Sequence, residues 1–307
     1  MIWILVAAAL LLILALLYFI GQYFFKFTFR RLDKPYDWES GLDPDGPIRM
    51  IRDRAFFDSP DRQAVEITAR DGVKLSAWLH DRGTKKTLIF CHGYQGGPEE
   101  LTGIAAPLYA EGYNILLIYQ RAHQKSGGDF FTMGVKECRD VADWINYVNQ
   151  RYPGGVIGLY GWSMGGATVM GTVGESLPEN VKCAVEDCGY VDLFEELAHA
   201  TTLIMPKLPC KRFLTGVLDL YCRLFKGFSI RYSLAKPLSR CKIPMLFIHG
   251  SADELVPYEN LDRCYSACAG QKLRSSYAGA AHISSFGREP ERYHNEISGF
   301  YKSWMGE

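Results

Sequence analysis

The stretch Val156-Ile157-Gly158-Leu159-Tyr160-Gly161-Trp162-Ser163-Met164-Gly165-Gly166-Ala167 decides how the chain is read. A short apolar run reads as a buried strand, and a helical pattern starting at Met164 follows without a linker. Between them lies the G-x-S-x-G arrangement Gly161 to Gly165. A serine on so sharp a strand-to-helix turn needs an unusual backbone conformation. Its neighbours at −2 and +2 must be tiny, and here both are glycine. The hydroxyl then stands at the positive end of a helix dipole, where an activated nucleophile is expected.

A serine hydroxyl needs a base, and the base needs a carboxylate to orient it. Downstream, Ile243 to His249 reads as a second buried strand ending at Gly250, and Asp253 lies just beyond it. Asp253 is the expected acid; its neighbour Glu254 is the weaker candidate. After the strand Lys272–Tyr277, the small-residue loop Gly279-Ala280-Ala281-His282 supplies the expected base, His282. His294 sits in a polar helical pattern and is expected to face solvent. His92, His123 and His249 follow strands and are expected to make loop hydrogen bonds. An oxyanion needs preorganised N–H donors. Met164, directly after the serine, is one candidate. Tyr94, in the glycine-rich loop His92-Gly93-Tyr94-Gln95-Gly96-Gly97, is the other.

Around these motifs, apolar strands alternate with helical patterns. Strands are expected at Thr87–Cys91, Tyr113–Tyr119, Val156–Tyr160, Val181–Glu186, Ile243–His249 and Lys272–Tyr277. Helices are expected at Glu99–Glu111, Val135–Gln150, Met164–Glu175, Tyr258–Ala269 and Glu289–Trp304. This rhythm predicts an α/β fold with a mostly parallel sheet covered on both faces. Asp71-Gly72, between two strand-like runs, adds an antiparallel hairpin at one edge. From Val191 to Lys236 the rhythm breaks for longer than an ordinary connection. This apolar stretch, 191–236, is expected to form a small helical lid over Ser163, lined by Leu203, Met205, Leu208 and Phe213.

The chain begins with Ile2 to Ile20, nineteen residues without a charge, followed by an aromatic border and then Lys26, Arg30, Arg31 and Lys34. That length spans about 28 Å, close to the thickness of a bilayer's hydrocarbon core. A cleaved signal peptide would show a basic n-region and a small-residue cleavage site, and neither is clear. The expected organisation is a transmembrane anchor at 1–25, a linker at 26–60 and a folded domain at 61–307. Positive charge only after the span places that domain in the cytoplasm.

Lys plus Arg and Asp plus Glu are both 34, and 48% of residues are hydrophobic. This balance excludes a disordered chain, and a phosphate-neutralising nucleic-acid binder would be more basic. The nine cysteines form no CxxC and no zinc spacing, so no metal is expected. The glycines of 93–97 lack the GxGxxG order, so no nucleotide cofactor is expected either.

Together these residues resemble the α/β-hydrolase superfamily over about residues 60–305. The motifs that carry the resemblance are HGYQGGPEE (92–100), QRAHQKSGG (120–128), TMGVKECRDVADWINYV (132–148), GWSMGGATVMG (161–171), VEDCGY (185–190) and HGSADELVP (249–257). More narrowly, the chain is similar to bacterial membrane-anchored serine hydrolases of the esterase and serine-peptidase-like kind. The resemblance implies Ser163, Asp253 and His282 as nucleophile, acid and base, with Tyr94 and Met164 as oxyanion donors. Tyr119 and Gln124 stand where that branch is expected to carry Asp and Gly. The implied partners are a small acyl substrate and the membrane. The implied reaction is hydrolysis of a carboxylic ester through an acyl-enzyme. A peptide or amide hydrolase using the same residues, an acyltransferase, and a non-catalytic binding module are the alternatives.

Overall fold

The computed structural model describes residues 1–34 and 52–306. About half of the linker expected at 26–60, residues 35–51, therefore lies outside the described residues. The chain divides into two compact units, one of Met1–Arg30 with Asp192–Tyr232, the other of Arg31–Val191 with Ser233–Glu307.

The larger unit is built on eight strands. These are β1 (Gln63–Thr68), β2 (Lys74–His80), β3 (Lys86–Cys91), β4 (Asn114–Ile118), β5 (Val156–Trp162), β6 (Val181–Asp187), β7 (Met245–Gly250) and β8 (Lys272–Tyr277). They form one sheet in the order β1-β2-β4-β3-β5-β6-β7-β8. The β1–β2 and β2–β4 pairs are antiparallel, and every pairing from β4 to β8 is parallel. The antiparallel hairpin lies at one edge, and the strands carrying the sequence motifs lie in the parallel part. This is the α/β-hydrolase fold.

Side chains alternate across the pleat. Leu88 and Phe90 of β3, Ile115 and Leu117 of β4 and Tyr160 and Trp162 of β5 join one apolar cluster with Leu101, Ile104, Tyr293, Phe300 and Tyr301. Parallel strands covered on both faces bury every side chain, as in β4, where all five residues are inaccessible.

The five helices expected for this unit form within a few residues of their expected bounds, and three four-residue helices not expected from the sequence join them. They are α2 (Arg54–Phe57), α3 (Thr102–Ala110), α4 (Glu137–Arg151), α5 (Met164–Thr172), α8 (Ala235–Leu238), α9 (Glu259–Ala267), α10 (Ser285–Arg288) and α11 (Pro290–Met305). Two differences are local. The first turn of the helix expected from Glu99 is 3-10, Pro98–Leu101, and it opens on Pro98, whose missing N–H would find no intrahelical acceptor at that position. Helix α2 lies inside the expected linker and is capped by Asp53, whose carboxylate accepts from the Phe56 N–H.

In the smaller unit, α1 (Ile2–Phe29) packs on α7 (Lys211–Phe225), with α6 (Leu193–Ile204) beside α7. Helix α1 runs four residues beyond the expected end of the anchor at 25, so 26–29 are helix and not linker. Leu203 and Phe213, expected to line a lid, are exposed.

A buried ion pair ties the hairpin to the parallel sheet. Arg121, in the loop after β4, donates from Nε and Nη2 to both oxygens of Asp140 on α4, at 2.7 and 2.5 Å. Its Nη1 donates to Asp71 in the hairpin turn at 2.9 Å. Removing one member of a buried pair leaves the other charge uncompensated. Arg121→Leu should therefore cost about 3–5 kcal/mol in urea unfolding. The Arg121→Leu/Asp140→Leu double variant should recover part of that loss. A single variant as stable as the wild type would remove this pair from the account of the fold.

Candidate active site

Ser163 is the residue between β5 and α5, with φ 53° and ψ −121°. That conformation is strained for a residue bearing a Cβ. It is held because the turn cannot relax around it. A methyl group on Gly161 would lie 2.2 Å from the Gly165 carbonyl oxygen, and one on Gly165 would lie 2.0 Å from that of Cys91. The Ser163 N–H donates to the Asp187 carbonyl at the end of β6, at 2.8 Å. Other left-handed residues occupy the loops after neighbouring strands: Gln95 after β3, Ala122 and Gln124 after β4, Cys188 after β6 and Ile283 after β8. Backbone strain is thus concentrated along the carboxyl ends of the strands.

The residues expected at the site come together there. His282 Nε2 lies 2.8 Å from Ser163 Oγ, and its Nδ1 lies 2.7 Å from Asp253 Oδ2. All three side chains are nearly inaccessible, with residue exposures of 8, 9 and 5% for Ser163, His282 and Asp253. Glu254 is exposed. The loops carrying the acid and the histidine are stitched together, since the N–H groups of Ser251 and Ala252 donate to the carbonyls of Tyr277 and Ala280. Asp253 Oδ1 accepts from the N–H groups of Leu255 and Val256 at 3.0 and 2.9 Å, which leaves Oδ2 for the imidazole. Burial alone would raise the Asp253 carboxyl. His282 and His249 outweigh it and hold the group well below the ordinary carboxylate range. The arrangement can pass a proton from a hydroxyl to an imidazole whose other nitrogen is held by a carboxylate.

The loop with Tyr94 runs beside the serine: a Cβ on Gly93 would lie 3.6 Å from Ser163 Cβ. His92 braces this loop. Its Nε2 accepts from the Gln120 N–H at 3.0 Å while Nδ1 faces the Gly93 carbonyl at 2.8 Å. Burial drives its basicity well down, which suits a neutral imidazole with Nδ1 donating. Gln120 then binds the His92 carbonyl and accepts from Thr168 on α5. Met164 opens α5, where a helix leaves its first N–H groups without intrahelical acceptors.

Of the other histidines, His123 keeps the expected loop role, with Nδ1 2.9 Å from the Arg121 carbonyl. His294 is half-buried instead of solvent-facing, with Nε2 2.8 Å from Glu111. Gln124 has φ 44°, the left-handed conformation that the glycine expected at this position would take without strain. Tyr119 accepts a hydrogen bond from Trp78.

A second layer lies beneath the site and was not assigned from the sequence. His249 Nε2 is 3.0 Å from the Val256 carbonyl and 3.3 Å from Asp253 Oδ2, so a second histidine faces the same carboxylate. Burial opposes its charging, but Asp253, Glu186 and that carbonyl outweigh burial and raise its basicity. Tyr293 links Asp187 Oδ2 to the Tyr160 hydroxyl through two 2.7 Å hydrogen bonds. Burial pushes Asp187 up to about 6 and Glu186 up to about 8. Cys188, Asp253 and His282 offer three metal-ligating atoms within 4.8 Å of one another. The motif VEDCGY (185–190) is the one signal in the sequence for this layer, and by its neighbours His249 reads as a loop residue.

Residues 86–210 match the family model described as the alpha/beta hydrolase fold. YqkD of Bacillus subtilis is 24% identical over 249 residues, covering 80% of each chain. YfhR of Escherichia coli K12 is 25% identical over 251 residues, covering 78% of this chain and 81% of that one. Among solved structures, the Pyrococcus furiosus esterase PF2001 superposes with a TM-score of 0.68 at 27% identity, over 91% of this chain and all of that one. The chain has the α/β-hydrolase fold, and its similarity is to the esterase-like proteins of that superfamily.

The Glu186 carboxyl makes the site's pH response testable. Its folded value, about 8, lies above the ordinary 4.5, so folding takes up a proton there. The stability it contributes is full below 4.5 and is lost as pH rises from 4.5 through 8. Glu186→Gln should remove that loss. The melting temperature of the variant should gain on the wild type steadily across this window. Parallel curves for the two proteins would refute the raised value.

Proposed function

We propose that the protein is a membrane-anchored serine hydrolase that cleaves carboxylic esters of small or amphiphilic acyl substrates. The observation that carries this reading is the unbroken line Asp253–His282–Ser163, with hydrogen bonds of 2.7 and 2.8 Å, on a strained turn. In this reading His282 Nε2 takes the Ser163 proton as Oγ attacks the ester carbonyl. Asp253, held ionised, orients the ring and stabilises the imidazolium. The N–H groups of Tyr94 and Met164 receive the oxyanion. His282 then returns the proton to the leaving alcohol. A water, deprotonated by the same imidazole, releases the acid from Ser163.

The similarity to an esterase favours esters over amides. The anchor is α1, the one described helix long and apolar enough to cross a membrane. Its only charge is Lys26 near the C-terminal end, and Arg30, Arg31 and Lys34 follow. That asymmetry favours a cytoplasmic larger unit.

Ser163→Ala should retain the fold but lose fluorophosphonate labelling, and kcat on p-nitrophenyl acyl esters should fall by about 10³-fold or more. Activity above roughly a tenth of wild type would reject the serine as nucleophile. Asp253→Asn should lower kcat by about 10³–10⁴-fold, whereas Glu254→Gln should leave it within about twofold. The opposite ranking would reject the acid. Faster turnover of aminoacyl anilides than of esters would favour the amide-hydrolase alternative. A fluorescent protein fused after residue 307 should fluoresce in a bacterial host, and a dark fusion at normal expression would reverse the topology.

A further inference from the structure

Helix α7 carries an apolar stripe that its own unit leaves uncovered. Phe213, Leu220 and Leu224 are exposed by 62, 47 and 66%. At 100° per residue their spacings of seven and four place them within about 40° of one another. The stripe is about 16 Å long. On one side it is bordered by Arg212 and Arg223, both exposed and each paired with one acid, Glu195 and Asp219 respectively. On the other side lie Val217, Tyr221 and Phe225.

That second border meets α1. Tyr18 packs tilted against Tyr221 and edge-on against Phe225, with ring centroids 5.6 and 5.1 Å away, and Phe25 packs tilted against Tyr221 at 5.6 Å. A Cβ on Gly21 would lie 2.6 Å from Tyr221 Cβ, so the absence of a side chain lets the helices approach closely. Tyr18 and Gly21 lie about 24 and 29 Å along α1 from Ile2, within the thickness of a hydrocarbon core. A helix packed on those two residues therefore reaches the level at which α1 leaves the acyl chains. From Asp192 to Tyr232 the chain has six basic residues against four acidic ones, a net +2, which suits anionic headgroups.

We propose that α7 is a second membrane-contacting element, whose stripe of Phe213, Leu220 and Leu224 enters the acyl layer beside α1 while Arg212 and Arg223 stay among the lipid phosphates. The proposal rests on the anchoring role of α1 given above. Long basic side chains beside an apolar helix face suit this placement, since their stems lie on the apolar surface while their charges stay in the polar layer. Lipid that wets α1 would then meet the stripe across the adjoining arc, with no protein surface needed to cover it.

The test uses the full chain in phosphatidylcholine–phosphatidylglycerol vesicles. Cys210 is the one exposed cysteine and the other eight are buried, so Cys210→Ser gives a background with little labelling. An NBD fluorophore is attached in that background at Leu224→Cys, at Leu220→Cys and, as the reference for the anchor, at Leu11→Cys. Fluorophosphonate labelling selects folded protein. The stripe probes should be quenched by lipids carrying a doxyl group high on the acyl chain and be shielded from aqueous iodide. The Leu11 probe should be quenched most by deep doxyl groups. Stripe probes open to iodide, with Leu11 still quenched by lipid, would overturn the proposal and leave the anchor standing. A Leu11 probe untouched by doxyl lipids would overturn the anchor, and the proposal with it. Stripe probes shielded from both quenchers, with Leu224→Cys forming disulfide-linked dimers, would assign the stripe to a second copy of the chain and overturn the lipid contact.

Discussion

At the end of β3 the chain passes so close to α5 that no side chain fits between the Cys91 carbonyl and Gly165. This approach, with the matching one between Gly161 and the Gly165 carbonyl, forces Ser163 into its positive-φ turn. The hydroxyl is aimed by backbone contacts and not by its own rotamer alone. The strain is sustainable because β5 is central in the sheet, paired on both sides by parallel strands. The loop after β3 is fixed in the same event, through the mutual hydrogen bonds of His92 and Gln120. One steric constraint therefore brings the serine, the helix that starts behind it and the loop bearing Tyr94 into a common geometry.

The acid side of the site follows a different logic, electrostatic more than steric. Asp253 is buried yet held ionised because two histidines and two backbone N–H groups surround it. Its neighbours Glu186 and Asp187 accept from the Gly189 N–H and the Tyr293 hydroxyl, but burial outweighs these bonds and the nearby histidines and pushes both upward. Three acidic side chains in one region thus divide into one that favours its charge and two that resist it. This division reduces the repulsion that three buried negative charges would otherwise impose at neutral pH. It also leaves the negative charge beside His282, where an imidazolium formed in the proposed reaction would be stabilised.

The smaller unit shows how a segment far along the chain joins the N-terminal helix. Residues 192–232 pack against α1 through aromatic rings and the contact at Gly21. Helix α1 is accordingly part of a folded unit in which Phe25, Phe29 and Tyr221 are buried.

Much of this was legible in the sequence, because some physical demands are local. A strand-to-helix turn that must admit a serine announces itself by glycines at fixed offsets, and strands buried on both faces announce themselves by unbroken apolar runs. Ser163, Asp253 and His282 could be named since each sits just past a strand end, and a parallel sheet brings those ends to one edge. The association of α1 with α7 was not legible, because one glycine among apolar residues does not reveal which aromatic ring it will admit. Nor was the role of His249. Its neighbours in sequence suggest a loop hydrogen bond, and it makes one, to Val256. Only folding brings Glu186 from β6 beside it and turns Asp253 to face two imidazoles at once. Periodicity and turn chemistry act between near neighbours along the chain, so sequence determined the strands, the turn and the site residues. Burial and Coulomb interactions act between groups that are near only in space, so their charge states and the helix pairing were decided by the tertiary structure.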